Sequence, residues 1–198
     1  MGSFFRDSVT CSLIVMLFIF ITRPCLAAPR GGTDTEFIRT SCAATSYPTL
    51  CYTSLSAHAN VIQKNPKLLA HTALAVALST AKTMSSSMLR LSNTPGLKHR
   101  EVGAMKDCVE EMADSVEQIQ KSLREMDSFR GAGFRMMISD VQTWVSAALT
   151  YEDTCTEGFS SKVMNGRVKT MVRGNILKIV QLTSNALALI NHYAAVHG

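Results

Sequence analysis

The chain has 198 residues, of which 46% are hydrophobic and 18% charged, and a formal net charge of +5 at pH 7. This length suffices for one domain with a sizeable core. The positive surplus is modest and scattered, and no run of basic residues interleaved with aromatic ones indicates a nucleic-acid-binding protein.

An apolar segment near the N-terminus predicts a secretory signal peptide over residues 1–27. Arg6 precedes an almost wholly apolar run, Val9 to Ile21, which is shorter than the roughly 20 residues that span a bilayer. That shortness disfavours a signal anchor, and small residues around Ala27 mark the expected cleavage position. Cleavage leaves 171 residues with a formal charge of +4, so we expect a secreted protein with no membrane attachment.

Four cysteines remain after cleavage: Cys42, Cys51, Cys108 and Cys155. An even number in an oxidising compartment predicts two disulfides, for which three pairings are possible. Sequential pairing is the simplest, because it closes one short loop and one long loop. No Cys-x-x-Cys pair occurs, which argues against redox catalysis and against a zinc site.

The mature chain is predicted to start with a flexible leader, residues 28–34, followed by a helical hairpin, residues 35–62. Tyr47-Pro48 breaks two segments of helical spacing, and Cys42 and Cys51 flank this break, where a disulfide would clip the hairpin. Asn65-Pro66 predicts the start of a long helix that ends near Leu91. Its expected core stripe is Leu69, Thr72, Val76, Thr80, Met84, Ser87 and Leu91.

The strongest amphipathic pattern lies between Gly103 and Met126. Apolar residues recur there every three or four positions, in one stripe of a helix: Met105, Cys108, Val109, Met112, Val116, Ile119, Leu123 and Met126. The other side carries acidic residues: Asp107, Glu110, Glu111, Asp114 and Glu117. A single helix cannot bury such a stripe, so other helices must flank it.

Two more helices are predicted beyond a glycine-containing loop. The first runs from about Met137 to Glu152, with Trp144 and Leu149 among its inward residues and Cys155 just beyond its end. The second runs from about Arg167 to Val196. No segment shows the period-two alternation of a strand. The predicted fold class is therefore all-α, an antiparallel up-down-up-down four-helix bundle over residues 66–196 with the N-terminal hairpin attached.

Patterns typical of catalysis are missing from the sequence. The five histidines form no His-x-x-x-His or Glu-x-x-His pair, and there is no Gly-x-Ser-x-Gly or glycine-rich phosphate loop. Each cysteine has a potential partner, which leaves no thiol as a nucleophile. We expect a protein that is not an enzyme and that uses no cofactor, metal ion or nucleic acid.

The acidic side of the central helix is the most distinctive surface feature. Glu110, Asp114 and Glu117 are spaced i, i+4, i+7 and stack along one exposed face. Two interpretations stay open on this pattern alone. The face is either a solvated surface that complements the positive end of the helix dipole, or a surface that docks a protein partner.

Five segments of the mature chain carry a family resemblance: FIRTSCAATSYPTLCYTSLS (37–56), LAHTALAVALSTAK, GAMKDCVEEMADSVEQI, VQTWVSAALTYEDTCTEGF and QLTSNALALIN. They resemble the plant invertase and pectin methylesterase inhibitor family, over essentially all of the mature chain. The resemblance implies an inhibitor domain over residues 35–198 and the disulfides Cys42–Cys51 and Cys108–Cys155. It also implies a secreted protein of the apoplast and cell wall that binds a carbohydrate-active enzyme.

The resemblance leaves two candidate targets, acid invertase and pectin methylesterase. Invertase inhibitors of the family carry a Pro-Lys-Phe motif in the region where this chain has FRGAGFR, residues 129–135, and this departure disfavours invertase. Pectin methylesterase inhibitors present acidic residues from the helix with the third cysteine and a threonine before the fourth. The matching positions are the expected partner-binding residues: Glu110, Asp114, Glu117, Thr154 and Glu157.

The expected function is reversible inhibition of pectin methylesterase in a 1:1 complex that blocks the enzyme's pectin-binding cleft and so modulates cell-wall pectin methylesterification. Inhibition of cell-wall or vacuolar acid invertase is the first alternative. A pectin-binding wall protein without inhibitory activity, held by the positive charge, is the second, and weak pectin binding is expected of the inhibitor as well. The end of the chain at Gly198 favours a free-standing inhibitor over the pro-region of an esterase.

Overall fold

The computed structural model describes residues 31–160 and 166–197, and the predicted signal peptide lies outside these ranges. The N-terminal hairpin consists of α1 (Gly31–Cys42), α2 (Pro48–Leu55), a 3-10 turn (Ser56–His58) and α3 (Ala59–Ile62). The long helices are α4 (Pro66–Ser92), α5 (His99–Ser128), α6 (Phe134–Gly158) and α7 (Arg167–His197). This helical architecture confirms the predicted all-α class.

The four long helices form a closed ring, in which each packs against its neighbour in sequence and α7 returns to α4. Cross-helix contacts join early residues of one helix to late residues of the next. His71 Nε2 lies 3.0 Å from Asp127 Oδ1, Cys108 is bonded to Cys155, and Gln142 Nε2 donates to Asn191 Oδ1 at 2.8 Å. The helices of these pairs therefore run in opposite directions. None of the helices described is both long and apolar enough to cross a bilayer.

The hairpin is held to the bundle at its turn. The disulfide Cys42–Cys51 joins α1 to α2, and buried Asn185 of α7 makes two hydrogen bonds to the Tyr47 backbone, each 3.0 Å long. One correction concerns the leader: α1 begins at Gly31, so residues 31–34 of the predicted flexible segment are helical. Asp34 in the first turn favours this early start, because a carboxylate there complements the helix dipole.

The central helix α5 presents an evenly spaced seam to the core. Its buried residues alternate at intervals of three and four: Met105, Cys108, Met112, Ser115, Ile119, Ser122 and Met126. This spacing keeps a single stripe facing the neighbouring helices over the whole length of α5. The predicted apolar members lie in the seam or beside it, with Val109, Val116 and Leu123 half-buried. The prediction missed Ser115 and Ser122, which are fully buried.

The core-facing side of α4 differs from the predicted stripe. The buried residues are Leu69, Ala70, Thr72, Ala73, Leu74, Ala77, Ala81 and Met88. Of the predicted stripe only Leu69 and Thr72 belong to this set, whereas Val76, Met84 and Leu91 are partly buried at its edge. The alanines face inward because small side chains allow the α4 backbone to approach its neighbours closely.

Helix α6 is longer than predicted at both ends. It runs from Phe134 to Gly158, so Cys155 lies within the helix and not beyond it. The Cys108–Cys155 bond and the buried Phe159 ring hold this last turn against the core. Trp144 and Leu149, which were predicted to face inward, are half-buried.

One carboxyl group is buried in the middle of the bundle. Glu152 of α6 is 0% exposed, and its Oε1 accepts hydrogen bonds from Ser115 Oγ of α5 at 2.8 Å and from Thr183 Oγ1 of α7 at 3.0 Å. Its Oε2 has no hydrogen-bond partner. Desolvation by burial raises the pKa of Glu152 from 4.5 to about 7; the two hydroxyls oppose this rise and Asp153 adds to it. A carboxyl in this setting is neutral in mildly acidic solution.

Removal of the two disulfides should destabilise the protein unequally. Cys108–Cys155 links residues 47 apart in sequence, and Cys42–Cys51 links residues 9 apart. Loop-closure entropy predicts that Cys108→Ser with Cys155→Ser lowers the free energy of unfolding by about 4 kcal/mol, against about 2.5 kcal/mol for Cys42→Ser with Cys51→Ser. Urea unfolding of the three oxidised proteins measures both values. A larger loss for the hairpin pair would contradict this ranking.

Burial of Glu152 should make stability depend on pH. Between pH 4.5 and about 7 the unfolded chain loses this proton while the folded protein retains it, so the free energy of unfolding falls as pH rises through this window. The full fall attributable to Glu152 is about 3 kcal/mol. Glu152→Gln keeps an acceptor for the two hydroxyls and should remove this fall in urea unfolding at a series of pH values. Glu110→Gln, which neutralises an exposed carboxylate, is the control and should leave the fall in place.

Candidate protein-binding site

The acidic residues of α5 lie in two neighbouring rows. Glu110, Asp114 and Glu117 are exposed, and Glu117 forms an ion pair with Lys121 one turn later, with 2.9 Å between Oε1 and Nζ. Asp107 and Glu111 lie on the side of α5 that borders α6. Of these two, Asp107 is exposed and Glu111 is half-buried. The acidic surface therefore continues from the open face of α5 toward α6.

A cleft of about 360 Å³ lies between α5 and the last turns of α6, over the Cys108–Cys155 disulfide. Its polar lining consists of Asp107 and Glu111 from α5 and Thr154 and Glu157 from α6. Ala104 and Gly158 complete the walls as small residues, and a Cβ at Gly158 would lie 4.0 Å from the Cβ of Ala104. Three carboxyl groups and one hydroxyl thus share a concave surface, which is called the acidic cleft below.

The acidic cleft contains two of the five predicted partner-binding residues, Thr154 and Glu157. The other three, Glu110, Asp114 and Glu117, are exposed on α5 outside the cleft lining. The prediction did not include Asp107 and Glu111, which do line it. Asp107 precedes Cys108 by one residue and Glu111 follows it by three. Because the Cys108–Cys155 bond brings this part of α5 against α6, the positions of Asp107 and Glu111 close to Cys108 could have predicted that both residues lie near α6.

The groups of the acidic cleft are hydrogen-bond acceptors. The Thr154 hydroxyl donates its proton to the Thr150 carbonyl at 2.8 Å, so its oxygen is left to accept from a ligand. Carboxylates accept only, so a complementary partner must supply donors, of which Arg and Lys side chains are the best suited. Surface charge of this density also attracts a basic partner from a distance.

Burial and neighbouring carboxylates both raise the pKa of Glu111. Partial burial is the main cause that raises the pKa of this residue above 4.5, and the nearby Asp114, Asp107 and Glu110 raise it further. Cationic groups of a partner would relieve this repulsion on binding.

The acidic residues do not form a metal site. Among the described residues, no group of three or more His, Cys, Asp or Glu side chains could hold a metal ion.

Comparison with known proteins identifies the family. The family model described as plant invertase/pectin methylesterase inhibitor matches residues 36–189. The chain belongs to this family. The resemblance inferred from five sequence segments is thereby confirmed, and the disulfide pairing that it implied is present in the structure.

Individual family members are similar over most of the chain. Pectinesterase inhibitor 11 of Arabidopsis thaliana is 43% identical over 191 residues, which cover 90% of this chain and 95% of that protein. Pectinesterase inhibitor 10 of Arabidopsis thaliana is 49% identical over 166 residues, 82% of this chain but 53% of that protein, so this chain spans about half its length. The fold is shared with a solved structure, the crystal structure of mutant form A of a pectin methylesterase inhibitor from Arabidopsis, with a TM-score of 0.64. The two sequences are 22% identical, and the match covers 78% of this chain and 95% of that one.

The electrostatic coupling within the acidic surface is testable by titration. Asp107→Asn and Asp114→Asn should each lower the pKa of Glu111, because each removes a negative charge that disfavours ionisation of this carboxyl group. Side-chain carboxyl chemical shifts, measured by NMR over a pH series, report this pKa. Glu117→Gln is the control, since Glu117 is not among the groups that shift Glu111. An unchanged Glu111 titration in both aspartate variants would show that burial alone acts on this group.

Proposed function

We propose that this protein inhibits pectin methylesterase by reversible 1:1 binding that blocks entry of pectin to the enzyme's cleft. The observation that carries the proposal is the acidic cleft with the adjoining exposed row Glu110, Asp114 and Glu117. Together they form a continuous acceptor surface on one side of the bundle, which suits the donors of a basic enzyme surface. The names of the relatives, pectinesterase inhibitors 10 and 11, support this target.

The proposed mechanism is steric and involves no covalent chemistry. The rigid pair of helices α5 and α6, joined by Cys108–Cys155, would present a preformed surface to the enzyme. A preformed surface loses little conformational freedom on binding, and that favours affinity. Opposite charges on the two proteins would accelerate their encounter at low ionic strength.

The proposed location is the apoplast and cell wall, after secretion. Two disulfides support this, because such bonds form and persist in oxidising compartments. The enzyme proposed as the target acts on cell-wall pectin, which requires that inhibitor and enzyme meet outside the cell. Regulation of wall pectin methylesterification is the consequence that follows.

The first experiment measures methanol release from esterified pectin by a plant pectin methylesterase in the presence of increasing oxidised, mature protein. The proposal expects activity to be lost at near-equal molar ratio and restored on dilution. Acid invertase is assayed in parallel with the same preparation. Inhibition of invertase alone would overturn the proposal in favour of the other target of the family, and inhibition of neither enzyme would overturn inhibition itself.

Charge reversal localises the docking surface. Glu110→Lys with Asp114→Lys, on the exposed row, and Asp107→Lys with Glu111→Lys, in the acidic cleft, should each weaken inhibition by about 10- to 100-fold, because like charges would then face the basic partner. Glu125→Lys with Asp140→Lys is the matched control: the charge change is the same and lies on α5 and α6 near the opposite end of the bundle. The control should inhibit like the unmodified protein. Equal weakening in all three variants would show that overall charge, and not this surface, determines binding.

A further inference from the structure

Charge is distributed very unevenly along the chain, although the net value is small. Neither residues 37–100 nor residues 158–198 contain any Asp or Glu, and these two stretches carry 7 and 5 Lys or Arg residues. Residues 101–157, which include α5 and α6, carry 12 acidic and 5 basic residues. The positive surplus that looks scattered in the composition is therefore carried mainly by residues 37–100 and 158–198, which include α4 and α7.

The fold brings the two acid-free stretches together. Helices α4 and α7 are far apart in sequence but pack directly against each other, so their solvent-exposed sides adjoin. In the ring of helices this side lies opposite the α5–α6 side that carries the acidic cleft. The exposed basic residues in the second half of α4 and the first half of α7 are Lys82, Arg90, Arg173 and Lys178. This surface is called the basic face below.

The cations of the basic face are available to a ligand. Within residues 31–160 and 166–197, none of the four forms a salt bridge. Arg90 donates from Nη2 to Ser87 Oγ at 2.9 Å, which uses one of its five N–H groups. From the helical rise, Lys82 and Arg90 are about 12 Å apart along α4, and Arg173 and Lys178 about 8 Å apart along α7. The basic face is thus an extended set of spaced charges and not a single anion pocket.

Hydroxyl groups and a shallow cleft accompany these cations. Thr83 and Ser86 of α4 donate to the carbonyls one turn earlier, which leaves their oxygens to accept hydrogen bonds. Lys178 also lines a cleft of about 290 Å³ together with Thr53, Ser54, His58 and Thr80. No acidic residue lines this cleft. Its chemistry combines a cation, a histidine and hydroxyl groups, which suits a ligand that carries both carboxylates and sugar hydroxyls.

We propose that the basic face binds de-esterified homogalacturonan, a linear polyanion with one carboxylate on each sugar unit. The choice of this occupant rests on the proposed function, because a pectin methylesterase generates such carboxylates from methyl esters. Charge complementarity favours an extended polyanion, since the four cations lie along two helices and would each meet a different carboxylate. Because the basic face is opposite the acidic cleft, the protein could hold polymer on one side while the enzyme occupies the other.

This arrangement would concentrate the inhibitor where the enzyme has already acted. Methyl-esterified pectin has few charges and would not compete for the basic face. As carboxylates accumulate, the local concentration of inhibitor would rise. Binding of polymer to the basic face would then favour binding of the enzyme to the acidic cleft through this higher local concentration, without any conformational change. The basic face would thus target the inhibitor to pectin that is already de-esterified.

The test measures binding of the oxidised, mature protein to polygalacturonate by affinity electrophoresis, without any enzyme present. We expect retardation in gels that contain polygalacturonate and no detectable retardation in gels that contain highly methyl-esterified pectin. Most of the retardation should be lost when the salt concentration rises from about 20 to about 150 mM. Lys82→Gln, Arg90→Gln, Arg173→Gln and Lys178→Gln combined should weaken binding by about tenfold or more. The matched control combines Lys106→Gln, Lys121→Gln, Arg124→Gln and Arg135→Gln, which removes the same charge from α5 and α6, and should bind nearly as well as the unmodified protein.

Each other outcome overturns the proposal. Equal weakening in the two quadruple variants would show that net charge and not the basic face is responsible. Equal retardation by esterified pectin would exclude carboxylate recognition. Binding to vesicles of anionic phospholipid without binding to polygalacturonate would make a membrane surface the partner. Because the assay contains no esterase, its result is independent of inhibition, and the basic-face variant should still inhibit the enzyme if the proposed function is correct.

Discussion

The packing of α5 against α6 is the constraint on which the rest of the structure depends. The seam of α5 supplies buried residues at intervals of three and four, and Cys108 occupies one position of that seam. Its bond to Cys155 sets the register between the two helices and also forms the floor of the acidic cleft. Core and candidate binding surface are therefore built from the same contact, so a change in helix register would disrupt both.

A buried polar layer lies about one turn from Cys155 along α6 and about two turns from Cys108 along α5. Ser115, Glu152 and Thr183 connect α5, α6 and α7 through the single carboxyl oxygen Oε1. Such a layer contributes less to stability than an apolar one, because the carboxyl group is desolvated and its second oxygen has no partner. It penalises alternative registers, however, since sliding any of the three helices would remove a donor from a buried acid. Neutralisation of Glu152 in mildly acidic solution reduces the cost of this arrangement.

The arrangement of charge shows how composition can mislead. A net charge of +5 in 198 residues indicates a weakly basic protein, yet one side of the bundle is acidic and the other is free of acidic residues. The segregation follows from which helices are neighbours: α5 and α6, which carry most of the acids, adjoin in the ring, and so do α4 and α7. Two surfaces of opposite sign give one small domain the means to contact two different partners.

Much of the fold could be predicted from the local sequence. The period of apolar residues determined that α4, α5, α6 and α7 are helices, Asn65-Pro66 determined where α4 begins, and its Asn65 side chain accepts from the Lys67 and Leu68 N–H groups. The acidic character of α5 and the positions of four cysteines could also be read from the sequence. These features are local, because helical period and capping involve residues a few positions apart.

Other features depended on tertiary packing. The predicted core stripe of α4 contained no alanine, but four alanines are buried there because close packing against the neighbouring helices favours small side chains. Sequence reasoning did not connect Ser115 with Glu152, which are 37 residues apart in sequence and form a hydrogen bond between α5 and α6. It grouped Glu110, Asp114 and Glu117 from their spacing, but the pairing of Asp107 and Glu111 with Thr154 and Glu157 required the helices to be placed side by side. The sequence by itself determined where the helices lie along the chain and which of them are acidic or basic. Only the tertiary structure decided which side chains of different helices meet, because the distance between separate helices is not a local property of the chain.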